Sequence, residues 1–236
     1  MKRALVLSGG GMFGAWQAGA WRALADRVRP DLIVGASVGS LNGYAIAGGA
    51  TPEELADFWM RPEVGALSKL PGTIQALMER YKPRIDFAVV LTDLIGMKPR
   101  IFRSAEITWR HLAASCAIPG VMRQYRIGGR WYSDGGLLNA LPVYAAVELG
   151  ATHILALHPL WPERPLLQPL VRAFIRMAGH YPSLPDGVEL VTLRTAALGS
   201  IRDGLHWRRE NIERWLEAGY RAALSSQQEH FTSKLF

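Results

Sequence analysis

With 236 residues, 49% of them hydrophobic and 20% charged, the chain holds enough apolar material for one substantial core and too much for an intrinsically disordered segment. Lys and Arg number 27 against 20 Asp and Glu, and the resulting +7 suits an anionic partner. The basic residues are spread along the whole chain without a nucleic-acid motif, so an anionic membrane surface is the partner expected and a nucleic acid is not. Cys116 is the sole cysteine, which excludes an intramolecular disulfide.

Met1-Lys2-Arg3 is followed by only four apolar residues, Ala4 to Leu7, before serine and glycine, too short a run for a secretory signal. Together with the lone cysteine this predicts a cytoplasmic protein, peripheral to the inner face of a membrane, without a signal peptide or transmembrane helix. Residues 3–8 read as a buried strand, followed by a glycine loop and a helix over about 14–28 that Arg29-Pro30 ends. A second strand begins at 32–35 and the next helix covers 38–47. Ser37, Ser40, Asn42 and several glycines interrupt the apolar stretch 33–50 and argue against a membrane span. Thr51-Pro52-Glu53-Glu54 opens another helix, with Thr51 as cap, Pro52 in the first turn and Glu54 completing a capping box. Between 61 and 84, Pro62, Gly65, Pro71 and Gly72 break the pattern, so short helical pieces in a locally mobile insertion are expected.

Residues 87–91 repeat the buried-strand pattern, and 96–99 turn it into a shorter strand at 100–102. Ile107, His111 and Leu112 give helical spacing to 106–116 until Pro119-Gly120 stops it. A hairpin over 121–134 turns at Gly128-Gly129, and a helix over 142–149 precedes a strand over 152–157. Residues 159–185 are rich in proline, aromatic and basic residues. Within them Leu167, Leu170, Val171, Phe174, Ile175 and Met177 predict a short amphipathic helix, either packed on the core or acting as a mobile, lipid-facing lid. A late strand at 188–193 and a long amphipathic helix at 205–224, carrying Trp207, Ile212, Trp215, Leu216 and Tyr220, complete the pattern. This alternation predicts an α/β fold, a three-layer α/β/α arrangement around a mainly parallel central sheet. A single domain over 1–225 with a frayed tail at 226–236 is expected.

Two glycine-rich segments carry the chemistry. Gly9, Gly11 and Gly14 satisfy G-x-G-x-x-G directly after a strand, as a dinucleotide site would. Such a site needs an acid near the end of the second strand, yet Asp31 precedes that strand and Asp26 lies in the first helix. The second segment, Gly35-Ala36-Ser37-Val38-Gly39, matches G-x-S-x-G between a strand and a helix, where a sharp turn presents the serine hydroxyl. Both loops follow parallel strands and are expected at the same edge of the sheet. The N–H groups of Gly10, Gly11, Met12 and Val38 are then candidates to hold the oxygen that turns negative when an acyl carbonyl is attacked.

A serine nucleophile needs a proton acceptor. Asp134-Gly135-Gly136 places a carboxylate in a tight turn after the hairpin, while His111, His153, His158 and His206 are the histidine alternatives of a conventional triad.

These motifs jointly resemble the patatin-like phospholipase family. The resemblance is carried by Gly9-Gly10-Gly11-Met12-Phe13-Gly14, by the Ser37 elbow, by Asp134-Gly135-Gly136, and by the Ala117-Ile118-Pro119 and Asn139-Ala140-Leu141-Pro142 stretches, over about residues 1–160. It implies the patatin-like α/β/α fold and a Ser-Asp dyad with Ser37 as nucleophile and Asp134 as base. It also implies an oxyanion loop that includes Gly9, with Gly14, Gly35, Gly39, Gly135 and Gly136 supporting the motifs. No metal and no cofactor are implied. The implied substrates are fatty acyl esters of phospholipids or lysophospholipids, cleaved through an acyl-serine intermediate. Acyltransferase or thioesterase chemistry at the same serine, or a noncatalytic lipid-binding domain, are the alternatives. Phe13 departs from the family pattern, which commonly has a basic residue there. That puts a side-chain role in loop anchoring or head-group preference in question and leaves the backbone donors untouched.

Overall fold

The computed structural model describes residues 1–159, 184–195 and 198–228. The expected amphipathic lid helix and the end of the tail lie outside the described residues. In chain order the elements are β1 (Arg3–Leu7), α1 (Gly14–Leu24), β2 (Leu32–Ala36), α2 (Val38–Ala47), α3 (Pro52–Trp59), α4 (Leu70–Arg80), β3 (Asp86–Asp93), β4 (Lys98–Arg103) and α5 (Trp109–Ser115). They continue with β5 (Tyr125–Ile127), β6 (Arg130–Ser133), α6 (Val143–Glu148), β7 (His153–His158), β8 (Glu189–Arg194), α7 (Ile201–Leu205) and α8 (Arg209–Gln228).

Among the described residues one sheet of eight strands runs in the order β5-β6-β3-β2-β1-β7-β8, with β4 on the other flank of β3. The five strands β3, β2, β1, β7 and β8 are parallel, and β4, β5 and β6 are antiparallel additions at one side. Alternation along each strand splits the core into two layers. Leu5, Leu7, Ile33, Phe87, Val89, Leu155 and Leu157 face Trp16, Leu41, Leu55, Ile74, Leu112 and Trp215 from six helices. The opposite face carries smaller side chains, among them Ala4, Val6, Val34, Ala36, Ala88, Val90 and Ala156, and packs on Ala145 and Ala146 of α6. The chain therefore adopts the α/β/α arrangement with a largely parallel sheet.

The main departure from the sequence expectation lies at 61–84. Instead of broken pieces, a single short turn at Pro62–Gly65 leads into the eleven-residue α4. Pro71 sits in its first turn, where a missing N–H costs nothing, and Leu70, Ile74 and Leu77 fall on one face and are buried. The capping box at Thr51 forms as expected, with the Glu54 amide donating to Thr51 Oγ1 at 3.1 Å and the Thr51 amide to Glu54 Oε2 at 2.9 Å. The last helix is shifted. A separate short α7, capped by Ser200, precedes α8, and α8 continues helically to Gln228 rather than stopping at Leu224.

The packing of α8 explains why it belongs to the same core. Gly219 lies against α1 so closely that a Cβ there would stand 2.0 Å from the Trp16 carbonyl, and one on Gly19 would stand 1.9 Å from that of Leu216. Two backbones in that contact need glycine on both sides. Its Trp215 is 1% exposed and meets the Phe13 ring edge-on at 4.8 Å between centroids. Phe13 is thus a core anchor that fixes the glycine loop to α8.

Candidate active site

Sheet register brings Ser37 and Asp134 together. Ala36 pairs in parallel with Val90, so the next residue, Ser37, arrives beside Leu91. Ser133 pairs in antiparallel with Thr92, so Asp134, approaching from the opposite direction along the same flank of β3, also arrives beside Leu91. There the Ser37 hydroxyl donates to Asp134 Oδ2 at 2.7 Å. Residues 97 positions apart meet because β2 and β6 share one flank of β3 end to end.

Ser37 has φ 52° and ψ −132°, a conformation costly for any residue with a side chain, by about 1–3 kcal/mol. Three contacts hold it there. Its N–H donates to Ser115 Oγ at 2.8 Å, and its carbonyl accepts from the Ser40 amide at 2.8 Å and from the Ser40 hydroxyl at 2.6 Å. The glycines on either side permit the elbow. A Cβ on Gly39 would stand 2.3 Å from the Leu7 carbonyl oxygen, and one on Gly35 would stand 2.5 Å from the Gly39 oxygen.

Asp134 is fixed as firmly. Oδ1 accepts the Gly136 amide at 2.7 Å, the Asp134 amide donates to the Ala117 carbonyl at 3.1 Å, and the Thr92 hydroxyl donates to the Asp134 carbonyl at 2.8 Å. Gly135 passes so close to β3 that a Cβ would stand 2.0 Å from the Val90 oxygen, and its N–H donates to the Ser115 carbonyl at 3.1 Å. Burial raises the carboxyl to a pKa of about 6, against the counteracting hydrogen bonds from Ser37 and Gly136. It remains ionised near neutral pH and is a far stronger base than an exposed aspartate.

The glycine loop lies against this pair. A Cβ on Gly9 would come 3.2 Å from the Ser37 Cβ and 3.8 Å from the Gly136 Cα. Gly9 itself does not supply a free donor, because its N–H is committed to the Ala140 carbonyl at 2.8 Å. It anchors the loop to the Asn139–Pro142 stretch instead, and this removes it from the expected oxyanion donors. The N–H groups of Gly10, Gly11, Met12 and Val38 have no hydrogen-bond acceptor among the described residues, and the Val38 N–H opens α2, a ten-residue helix. Gly11, at φ +56°, would place a Cβ 2.1 Å from the Gly204 carbonyl, so α7 presses directly on the loop. Gly14 tucks under the Trp59 ring. Below it the Trp59 indole donates to Asn42 Oδ1 at 2.8 Å, the Asn42 amide to Gln17 Oε1 at 3.0 Å, and the Gln17 amide to the Ser8 carbonyl at 2.8 Å. This buried chain ties α3, α2 and α1 to the strand end that precedes the glycine loop.

The histidines are placed elsewhere or otherwise engaged. His111 Nδ1 accepts the Thr108 amide at 3.1 Å as a helix cap, His206 Nδ1 lies 2.8 Å from the Arg202 carbonyl, and His153 stands at the opposite edge of the sheet beside Glu189. His158 is at the edge of the sheet that carries Ser37, but burial, together with Arg194, lowers it to a pKa of about 4 and keeps it neutral. Asp31, which precedes the second strand, pairs with Arg3 at 3.2 Å on the opposite edge.

Sequence reasoning did not assign individual roles to Ser115, Ser40, Thr92 or Cys116. Cys116 is 4% exposed, and its thiol interacts with the Ser40 and Ser37 hydroxyls. Burial and then the Asp134 charge push it well above its usual range, so it stays a neutral thiol. The one signal for Ser115 and Cys116 is that they precede Ala117-Ile118-Pro119, and the Ser115 hydroxyl and Ala117 carbonyl turn out to hold Ser37 and Asp134; Ser40 and Thr92 carried none. Ser115 joins three elements, since its hydroxyl also donates to the Val90 carbonyl at 2.9 Å. Replacing it by alanine orphans the buried Ser37 N–H, and urea unfolding is expected to show a loss of about 1–3 kcal/mol. Turnover should fall through kcat more than through KM, as the elbow relaxes.

A serine on a strained strand-to-helix elbow is thus hydrogen-bonded to a buried carboxylate and flanked by a glycine loop whose amides have no acceptor among the described residues. The chain belongs to the patatin-like phospholipase family, whose sequence profile matches residues 5–84 and 81–147. Among characterised proteins it is similar to patatin-like phospholipase domain-containing protein 7 of Rattus norvegicus and of Mus musculus, at 26% identity over 179 residues in each case. The match covers 65% of this chain and 13% of those proteins, so the chain spans about an eighth of their length. Among solved structures it is similar to VipD from Legionella pneumophila, with a TM-score of 0.56 at 13% identity, over 97% of this chain and 67% of that one, a likeness of fold.

Proposed function

We propose that this chain is a lipid acyl hydrolase that cleaves fatty acyl esters of phospholipids or lysophospholipids through a Ser37–Asp134 dyad. The observation that carries the proposal is the 2.7 Å hydrogen bond from Ser37 Oγ to a carboxylate buried beside it. As Ser37 Oγ attacks the ester carbonyl, Asp134 takes its proton and the carbonyl oxygen becomes an oxyanion. The amides of Gly10, Gly11 and Val38, with the positive end of α2, favour that charge. The tetrahedral adduct collapses with departure of the alcohol, which receives the proton from Asp134, and leaves an acyl-serine. Water, deprotonated by Asp134, then attacks the acyl-serine, releasing the fatty acid and returning the proton to Ser37. Family membership supports a lipid ester as substrate, and the basic balance of the chain supports work at an anionic surface.

A panel of acyl esters varied in chain length and head group, assayed with and without an added alcohol acceptor, tests this reading. Release of free fatty acid from long-chain glycerophospholipids or lysophospholipids is the expected result. Acyl transfer to the acceptor without fatty acid release, or no acyl product from any member of the panel, would overturn it.

A further inference from the structure

The β5–β6 hairpin does more than deliver Asp134. Tyr132 pairs with Asp93, the last residue of β3, so Trp131, Arg130, the Gly128-Gly129 turn, Ile127 and Arg126 all lie beyond the edge of the sheet that carries Ser37. The β3–β4 turn leaves from the same edge and is stitched to the hairpin by the Leu94 amide, which donates to the Trp131 carbonyl at 2.9 Å. These projections are unusually apolar for exposed tips: Ile95 is 66% exposed and Trp131 44%, with Val121 at 50% in the loop that enters β5.

Their charge is one-sided. Residues 94–102 and 117–133 contain Lys98, Arg100, Arg123, Arg126 and Arg130 and no acidic side chain. The neighbouring acid, Asp93, is fully buried and accepts from the Ile95 and Gly96 amides at 3.0 and 3.1 Å. It also pairs with Arg130 at 2.8 Å and Arg100 at 3.8 Å, so it faces inward and does not oppose an outer anion. Lys98, Arg123 and Arg126 are exposed and enter no ion pair among the described residues.

Exposed tryptophan and aliphatic tips ringed by arginine and lysine match the chemistry of an anionic bilayer interface, where the rings sit among the head groups and the cations meet phosphates. We propose that the β5–β6 hairpin and the β3–β4 turn dock this protein on an anionic phospholipid surface and hold the Ser37 edge toward it. The proposal rests on the lipid acyl-ester reading for its purpose, but its binding step stands apart from catalysis. Ile95 and Trp131 enter the interface while Lys98, Arg123 and Arg126 hold the head groups. Trp131 lies only three residues from Asp134, so docking brings the membrane to the dyad.

The test is co-sedimentation of the full chain with phosphatidylcholine vesicles containing or lacking 30% (about one lipid in three) phosphatidylglycerol, a fraction chosen to give a strongly negative surface. The parent is compared with Arg123→Glu/Arg126→Glu and with Ile95→Ser/Trp131→Ser, and turnover of a water-soluble short-chain ester reports that each variant is folded. The parent should bind the anionic vesicles and release them at high salt. The charge-reversed variant should bind at least about 30-fold more weakly, the factor that about 1 kcal/mol per basic side chain gives for two of them. The apolar variant should lose about tenfold or more, with soluble-ester turnover unchanged in both. Binding at the parent level by both variants, or equal binding of the parent to neutral vesicles, overturns the docking proposal. Absence of ester turnover in a parent that still binds would instead reject the hydrolase reading and leave the docking surface in place.

Discussion

Substitution of Ser37 by alanine lowers turnover of every acyl ester the protein accepts by at least about 10⁴-fold, with the fold intact. The reason is chemical rather than structural: the hydroxyl is the atom that would form the acyl intermediate, and no other hydroxyl near Asp134 replaces it. Among the described residues the neighbouring hydroxyls are already spent, Ser40 on the Ser37 carbonyl, Ser115 on the Val90 carbonyl, Ser133 on the Ala117 carbonyl and Thr92 on the Asp134 carbonyl. The variant has a second consequence. The Ser37 hydrogen bond is one of the two interactions that favour ionised Asp134, so its loss raises the carboxyl further above about 6. Turnover beside circular dichroism of the same samples checks the first statement, and the pH dependence of the variant's urea unfolding checks the second. Retained turnover in a folded Ser37→Ala protein would remove the nucleophile from the account.

Asp134→Asn gives the second large effect, a fall of roughly 10²–10⁴-fold in kcat/KM, the range expected for loss of a general base. In the parent, the active form is the ionised carboxylate, so kcat/KM rises with pH and levels off above about 6, and at pH 5 it should be about tenfold below the plateau. A histidine-dependent site using His158, with its pKa of about 4, would level off far earlier.

The same pKa makes Asp134 a stability liability. Its folded-state value of about 6 lies above the ordinary 3.8, so its contribution to stability is complete below pH 3.8 and is lost as pH rises toward about 6. The gap corresponds to about 3 kcal/mol. Asn at this position keeps the shape without the buried charge, so the variant should be more stable than the parent above pH 6, by up to about 3 kcal/mol, and indistinguishable near pH 3.5. Urea unfolding at the two pH values measures the difference, and an equal difference at both would contradict the assignment of the shift to burial. On the proposed mechanism the site trades stability for a base of useful strength, in the same place where the Ser37 backbone is strained.

Much of this was legible in the sequence because the decisive features are local. The elbow glycines, the acid in its glycine turn and the alternating strand patterns each depend on a few neighbouring residues, and they placed Ser37, Asp134 and the sheet. What stayed hidden was set by long-range register and packing. Nothing near Gly9 announces that its amide belongs to Ala140, and nothing near Phe13 announces Trp215, 202 positions away. Ser115 lies two residues before the Ala117-Ile118-Pro119 stretch, yet its role depends on β3 bringing Val90 beneath it. The stretch around Pro71 misled for a different reason: a proline that breaks a helix interior is welcome in a first turn, and only the burial of Ile74 and Leu77 decides which applies.

Covalent trapping tests the dyad most directly. The protein is treated with a long-chain alkyl fluorophosphonate until hydrolysis stops, digested, and the modified peptide is mapped by mass spectrometry. The account predicts one adduct per chain, on Ser37, with activity lost in proportion to labelling and with labelling slowed strongly in Asp134→Asn. An adduct on another residue with Ser37 unmodified, or undiminished hydrolysis by fully labelled protein, would contradict it.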